Sequence, residues 1–286
     1  MSDLKGQSTA REVQYWNSAA TRPWADQHQR IDRLFANVTD ATLALAAPRR
    51  GETIVDIGCG SGTTVLNLAA QAGPGGHVLG VDISEHSVRC ARERIAAADC
   101  PQAEVLLADA SAHDYAPNTF DLAFSRFGVM FFADPTASFA NLRKAMKPGG
   151  RLAFAVFRTA QENPWTTQPM AAVRHLVPPL PPSGPEEPGQ FSWADPARVR
   201  RILEGAGFRT VTLTPYDPAM QYAGPGGASE AATLAMQVGP VVRATANAPQ
   251  DLRDRVRAAL EAFFQKHDGP QGVVMPGAIW IVRALA

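Results

Sequence analysis

The chain has 286 residues, 45% of them apolar and 19% charged, which is typical of a globular protein with a sizeable core. Its 27 basic and 27 acidic side chains give a formal net charge of zero, which argues against a nucleic-acid partner because such binders usually carry a basic excess. No apolar leader follows Met1 and no run of about 18 apolar residues occurs, so we expect a cytoplasmic protein without a membrane span.

The first part of the chain is predicted to be helical. Glu12 to Ala20 form a first segment, and apolar side chains from Ile31 to Val38 then recur every three or four residues. That spacing is typical of one helix face. A further helical stretch, Thr42 to Ala46, precedes the first strand.

A strand, a glycine loop and a helix follow in direct succession. Thr53 to Ile57 is a β-branched apolar run, which predicts a buried strand, and Gly58, Gly60 and Gly62 follow it at alternate positions. Residues 63–71 then have helical spacing. Glycine allows positive φ and close approach of a ligand, and the start of a helix presents unpaired N–H groups. The stretch therefore predicts a ligand-binding loop.

An acidic residue, Asp82, ends the next strand-like run, His77 to Val81. An acid at the tip of the second strand can accept both hydroxyls of a ribose, so the loop and Asp82 together predict a nucleoside cofactor. The G-x-G-x-G spacing differs from the G-x-G-x-x-G of dinucleotide-binding proteins. Asp56, just before the loop, would repel a pyrophosphate but suits a ligand with an ammonium group.

Strands and helices alternate from residue 53 to residue 157. We predict strands at 53–57, 77–81, 103–108, 119–125 and 150–157, and helices near 62–72, 84–98 and 135–146. Such alternation predicts a parallel sheet with right-handed crossovers and a ligand site at the carboxyl ends of its strands. Asp56, Asp82, Asp109 and Ser125 all occupy such ends, so the fold would bring them to one rim.

The pattern changes after the fifth strand. Residues 159–194 contain the proline-rich stretch 177–185, which cannot be a helix or a central strand and reads equally as a pocket cover or a solvated loop. Residues 215–271 form a second insertion. The remaining predicted elements are a helix opened by Asp195 and Pro196, a sixth strand at Arg209–Leu213, helices at Ala228–Val238 and Leu252–Lys266, and a last strand at Gly272–Ala284, kinked at Pro276-Gly277.

Taken together, these stretches resemble the class I S-adenosylmethionine-dependent methyltransferases. The resemblance covers roughly residues 50–158 and is carried by Val55–Gly62 (first motif), Asp82 (ribose-binding acid), Leu106–Ala110 (adenine motif), Phe120–Ser125 (fourth strand) and Leu142–Leu152 (entry to the fifth). It is nearest to the bacterial small-molecule group that includes the ubiquinone/menaquinone-biosynthesis C-methyltransferases. The two insertions depart from the short quinone enzymes.

The resemblance implies an α/β fold with a Rossmann-like, seven-stranded, mostly parallel sheet, helices on both faces and an antiparallel last strand. A single methyltransferase domain would span residues 1–286. Residues 1–50 would form a helical lid and residues 51–158 the cofactor-binding core. Residues 159–194 and 215–271 would form a substrate cap.

The same resemblance implies S-adenosylmethionine as cofactor, S-adenosylhomocysteine as product, and no metal. Its expected binding residues are Asp56, Gly58, Gly60 and Gly62 for the methionine end, Asp82 and Ile83 for the ribose and adenine, Asp109 and Ala110 for the adenine edge, and Ser125 and Arg126 beneath the methionine. Trp16, Phe127 and Met130 are expected to face the substrate, although Trp16 equally fits packing of the lid on the sheet. No general base is identified; Tyr15 and His175 are candidates by residue type.

Missing motifs narrow the acceptor to a small molecule. Ser125-Arg126-Phe127-Gly128 stands where DNA amino-methyltransferases have an Asn/Asp-Pro-Pro-aromatic motif. The atom methylated (oxygen, nitrogen or carbon) stays open, as does formation of a homodimer. The alternatives are a protein that binds S-adenosylmethionine without transferase activity and, less favoured by the glycine spacing, a nicotinamide-dependent oxidoreductase.

Overall fold

Helices and strands alternate through the first half of the computed structural model, which describes residues 10–181, 184 and 186–286. The helices are α1 (residues 10–16), α2 (Pro23–Asp26), α3 (His28–Leu34), α4 (Ala36–Ala46), α5 (Thr63–Ala72), α6 (Glu85–Ala97), α7 (Pro135–Ala145), α8 (Pro164–Val173), α9 (Pro196–Gly205), α10 (Ala228–Gln237), α11 (Pro240–Ala244) and α12 (Gln250–Gln265). The strands are β1 (Thr53–Ile57), β2 (His77–Asp82), β3 (Ala103–Leu107), β4 (Phe120–Arg126), β5 (Met146–Phe157), β6 (Arg209–Tyr216), β7 (Ala219–Ala223), β8 (Asp268–Gly269), β9 (Gly272–Pro276) and β10 (Ile279–Leu285).

The main sheet has seven strands in the order β3-β2-β1-β4-β5-β10-β6. Its first five strands are parallel, and β10 runs antiparallel between β5 and β6. The order reverses between β1 and β4, and ligands of such sheets bind at the carboxyl edge beside that switch point. The Rossmann-like fold predicted from the sequence is confirmed.

Buried side chains of the central strands alternate between the two faces of this sheet. Ile54, Leu122 and Phe124 pack in a cluster with α5 and α6, whereas Val55 and Ala123 join the cluster on the other face. A period of two is what a strand buried on both sides requires. The core therefore holds β1 and β4 rigidly, and with them the loops at their carboxyl ends.

The prediction of a single last strand over Gly272–Ala284 is wrong for the first half of that range. Residues 272–276 form β9, which pairs with β7 and β8 in a separate three-stranded sheet. Pro276 lacks an N–H, and the Ala278 backbone is held by the buried Asn163 side chain, which accepts from its N–H and donates to its carbonyl at 2.9 Å each. The chain therefore changes sheets at Gly277, and only β10 joins the main sheet.

The amino-terminal segment is tied both to the loop after β2 and to α10 of the second insertion. Asn17 donates to the Ile83 carbonyl and accepts from the Glu85 N–H, each at 2.9 Å. Arg30 and Arg33 of α3 both reach the Glu230 carboxylate of α10, at 3.0 and 2.6 Å. The first nine residues of the segment predicted as a lid, and residues 182, 183 and 185 of the proline-rich stretch, lie outside the described residues. Every helix in the described part of the chain is too short or too polar to cross a membrane.

Candidate active site

The carboxyl ends of β1, β2 and β4 open into a cavity of about 910 Å³. Its other walls come from helices α1 to α3, from the segment around α8 and from α10 and α11. Such a volume is within the range of small-molecule sites. Cofactor-binding and substrate-facing candidates that line it are Gly58, Gly60, Asp82, Ile83, Asp109, Ala110, Arg126, Trp16, Phe127 and Met130, together with Tyr15.

Four of the predicted site residues do not line this cavity. Asp56 is completely buried behind the loop. The Ser125 hydroxyl donates to the Ile57 carbonyl at 2.7 Å and so ties β4 to β1. A Cβ on Gly62 would lie 3.0 Å from the Ala91 side chain, so this glycine allows α5 to pack on α6. His175 is exposed beyond the end of α8 and outside the cavity, which argues against a role as general base.

All three glycines of the loop are left-handed, and Gly58 and Gly60 differ in their surroundings. Gly58 has a φ of +66°, and a Cβ there would lie 2.6 Å from the Gly128 backbone. Gly60 has a φ of +54°, and a Cβ there would meet no atom within 4 Å. Gly58 therefore permits two protein backbones to touch. Gly60 lines the cavity and has open space, which we call the cradle, where a Cβ would lie.

Asp82 is fixed at the rim by backbone hydrogen bonds to both of its oxygens. Oδ2 accepts from the Gly60 N–H and Oδ1 from the Ser84 N–H, each at 2.8 Å. Burial raises the pKa of this carboxyl, and the backbone donors oppose that rise. Each oxygen keeps a lone pair for a further donor, so the carboxylate suits a vicinal diol.

Asp56 is a buried carboxyl with one unpartnered oxygen. Its Oδ2 accepts from the Thr64 hydroxyl at the start of α5, whereas Oδ1 has no hydrogen-bond partner among the described residues. Burial raises the pKa of Asp56 to about 7, and the nearby Asp82 adds to this rise. A buried carboxyl with an open acceptor favours a cationic or hydrogen-bond-donating ligand.

The raised pKa of Asp56 predicts a pH dependence of stability. Between its ordinary value of 3.8 and about 7 the folded protein keeps a proton that the unfolded chain releases. The free energy of unfolding should therefore fall as pH rises through this window, by at most about 1.4 kcal/mol per pH unit. Asp56→Asn should make this slope shallower in urea unfolding without ligand, and the raised pKa of Asp82 contributes to the part that remains. Glu104→Gln, on an exposed carboxylate of β3, should keep it; equal slopes in Asp56→Asn and the wild type would contradict the assignment.

A charged network that sequence analysis missed joins α3 to the glycine loop. Asp32 accepts from the Thr63 hydroxyl at 2.6 Å and pairs with Arg94 at 3.2 Å. Arg94 in turn donates to the Ser61 carbonyl at 2.8 Å. Arg126 donates to the Thr39 hydroxyl at 2.8 Å and lies 3.9 Å from Asp32. These residues lie on separate elements, so no spacing in the sequence could have grouped them.

Aromatic rings form a second part of the cavity, which we call the aromatic chamber. It is lined by Phe35, Phe127, Phe157, Trp165, Phe191 and Tyr222. The Phe127 and Phe157 rings stack with centroids 4.1 Å apart. The Trp165 ring lies between Phe157 and Tyr222, with centroid distances of 5.4 Å and 6.4 Å. Leu234, Val238 and Val241 of the second insertion also line the cavity. Of these rings, sequence analysis proposed only Phe127 for the site.

The cavity thus combines a polar end, formed by the glycine loop and Asp82, with an apolar end. The described residues contain no group of three or more His, Cys, Asp or Glu side chains arranged to hold a metal ion. A reaction without a metal stays a prediction.

Comparison with known proteins identifies related sequences and folds. Residues 48–204, more than half of the chain, match a family described as a methyltransferase domain. Demethylmenaquinone methyltransferase from Listeria monocytogenes is 27% identical over 180 residues, covering 59% of this chain and 75% of that protein. The YcgJ protein from Bacillus subtilis has a similar fold, with a TM-score of 0.57, 13% identity and coverage of 87% and 98%. Phosphoethanolamine N-methyltransferase 2 from Haemonchus contortus, in complex with S-adenosyl-L-methionine, gives a TM-score of 0.52, 19% identity and coverage of 87% and 52%.

Proposed function

The chain belongs to the methyltransferase domain family of class I S-adenosylmethionine-dependent enzymes, and from this premise we propose that it methylates a small-molecule acceptor. The observation that carries the proposal is the open cradle at Gly60 beside the fixed carboxylate of Asp82. A Cβ would fill that cradle, and a diol would find two acceptor oxygens next to it. Both features fit a nucleoside with a short charged tail.

The proposed cofactor contacts follow from these positions. Asp82 would accept from the ribose hydroxyls, and Ile83 and Ala110 would pack near the adenine, with Asp109 at its edge. Gly58 and Gly60 would approach the methionine portion. The unpartnered Oδ1 of Asp56 favours a positive charge behind the loop, but Asp56 does not line the cavity, so its contact with the amino group would be indirect.

S-adenosylmethionine, when bound, supplies an electrophilic methyl group on a positively charged sulfur. The residues of this chain would act mainly by positioning the acceptor and excluding water. The aromatic faces of Trp16 and Phe127 would favour a nearby positive charge. Tyr15 and the half-buried Glu12, whose pKa is raised by burial, line the cavity and are the candidates for holding an acceptor proton.

A small-molecule acceptor is supported by the size of the cavity and by the elements that line it. Residues 10–35 and both insertions surround the space beyond the glycine loop, which leaves room for a compact ligand. The related proteins carry names that refer to demethylmenaquinone and phosphoethanolamine, both small molecules. We propose residues 1–50 as a lid and the two insertions as a cap on a single domain.

Replacing Asp82 by alanine should weaken binding of S-adenosylhomocysteine by about 2 kcal/mol, or roughly 30-fold. The reason is the loss of a charged acceptor for two hydroxyls. Calorimetric titration of the purified chain would measure this loss directly. Glu104→Ala removes an exposed carboxylate from the neighbouring strand and should bind as the wild type does. Unchanged affinity in Asp82→Ala would contradict the proposal that Asp82 binds the ribose.

A binding protein without transferase activity is the alternative that the same contacts support. Transfer of a labelled methyl group from S-adenosylmethionine to members of an acceptor library would distinguish the two. A nicotinamide-dependent reaction is disfavoured because the G-x-G-x-G spacing of the loop differs from the G-x-G-x-x-G of dinucleotide-binding proteins. Binding of reduced nicotinamide cofactor in place of S-adenosylhomocysteine would reverse that conclusion.

A further inference from the structure

The aromatic chamber is assembled from parts of the chain that are far apart in sequence. Phe35 comes from the amino-terminal helices, Phe127 and Phe157 follow or end central strands, and Trp165 and Tyr222 come from the two insertions. The Phe35 ring packs edge-to-face on two other rings, with its centroid 5.2 Å from that of Phe127 and 5.7 Å from that of Trp165. The rings therefore form one continuous wall, in which Phe127 and Phe191 are partly exposed and the other four rings are buried behind or beside them.

The polar atoms of this wall are already used inside the protein. The Trp165 Nε1–H donates to Asn163 at 3.0 Å, and the Tyr222 hydroxyl donates to the Trp165 carbonyl at 2.7 Å. The neighbouring Ser192 hydroxyl is bonded to the Met130 and Gly189 carbonyls. The rings of the chamber consequently present carbon to a ligand, and a charged group placed against them would lose hydration that the rings do not replace.

Except for Arg126, the charged side chains that line the cavity lie outside the chamber. Arg11, Glu187 and Arg243 are exposed, which puts them at the rim, and Glu12 is half-buried beside them. The remaining charges belong to the glycine-loop end. Arg126 approaches the chamber, with its guanidinium 5.7 Å from the Phe35 ring centre, but it is paired with Thr39 and Asp32.

We infer that the acceptor is a flat, uncharged and mainly apolar ring compound that packs in the aromatic chamber against the partly exposed rings of Phe127 and Phe191 and the accessible part of Trp165. The inference rests on the proposed function, because it names the substrate class of the same site. Flat rings match stacked and edge-on aromatic walls better than saturated or charged molecules of equal size. Trp165 and Tyr222 then determine specificity through their rings, and the Tyr222 hydroxyl contributes only to positioning the wall.

Calorimetry on the chain saturated with S-adenosylhomocysteine tests the inference without requiring turnover. Saturation itself must be observed first, and its failure would refute the proposed function rather than the acceptor class. The probes are 1-naphthol, its saturated analogue decahydro-1-naphthol, and O-phosphoethanolamine. We expect 1-naphthol to bind at least tenfold more tightly than the saturated analogue, and O-phosphoethanolamine not to bind measurably.

Variants locate the binding within the cavity. Trp165→Ala should weaken 1-naphthol binding at least tenfold, and Trp165→Leu serves if the alanine variant does not fold. Tyr222→Phe keeps the ring and should bind within about twofold of the wild type. Phe263→Ala removes a half-buried ring outside the cavity and should not change binding. Tighter binding of O-phosphoethanolamine, or no 1-naphthol binding to the saturated chain, would overturn the acceptor class.

Discussion

Replacing Gly58 by alanine is expected to lower the free energy of unfolding by about 3–4 kcal/mol, whereas the same change at Gly60 should cost only about 1 kcal/mol. Both glycines have positive φ, so both variants carry similar backbone strain. They differ in what the new methyl group meets. At Gly58 it would lie 2.6 Å from the Gly128 Cα, and this backbone cannot move without separating β1 from β4.

For ligand binding we expect the reverse: Gly60→Ala, the more stable of the two variants, should lose more affinity. Gly60→Ala should keep its fold but lose S-adenosylhomocysteine affinity at least tenfold, since its methyl group occupies the cradle. Urea unfolding gives the stability of each variant, and calorimetry at a temperature where both are folded gives the affinity. Full affinity in a folded Gly60→Ala would mean that the ligand does not approach this part of the loop. Equal losses of stability would mean that the Gly58–Gly128 contact can relax.

The parts of the fold that sequence predicted best are those with local signals. The strand predicted at 53–57 has the same bounds as β1. Its β-branched residues indicate a strand, and the glycine loop that follows marks where it ends. The helix opened by Asp195 and Pro196 also has the predicted start, with the Asp195 carboxylate accepting from the Ala197 N–H. Local chemistry decides such boundaries, so one sequence is enough to find them.

The parts that sequence missed depend on long-range contacts. The apolar run from Gly272 reads as one strand, and only the Asn163 side chain, far away in sequence, explains why it changes sheets at Gly277. Trp165 and Tyr222 have no motif around them, and their part in the cavity follows from the packing of the two insertions. Most of the predicted cofactor residues, in contrast, lie at strand ends, where the topology itself brings them to one rim.

The contact between α3 and the glycine loop gives the second large prediction: Asp32→Ala should lower the free energy of unfolding by about 3 kcal/mol. Arg94 and Arg126 are mostly buried, with 24% and 15% of their side chains exposed, and both lose their carboxylate partner. Removing one member of a buried pair is costly because the other charge stays desolvated. Burial lowers the pKa of Arg126 because desolvation disfavours its charged form, and the Asp32 carboxylate opposes this shift.

The matched control is Glu230→Ala, which breaks the ion pairs between α3 and the second insertion. Its partners are about one third exposed, so the loss should be under about 1 kcal/mol. Asp32 also holds Thr63 and, through Arg94, Ser61, so its loss should weaken S-adenosylhomocysteine binding about tenfold by releasing the loop. Urea unfolding and calorimetry measure both effects. Equal changes in the two variants would mean that α3 is held over the cavity by its packing alone, and that the Asp32 network does not position the glycine loop.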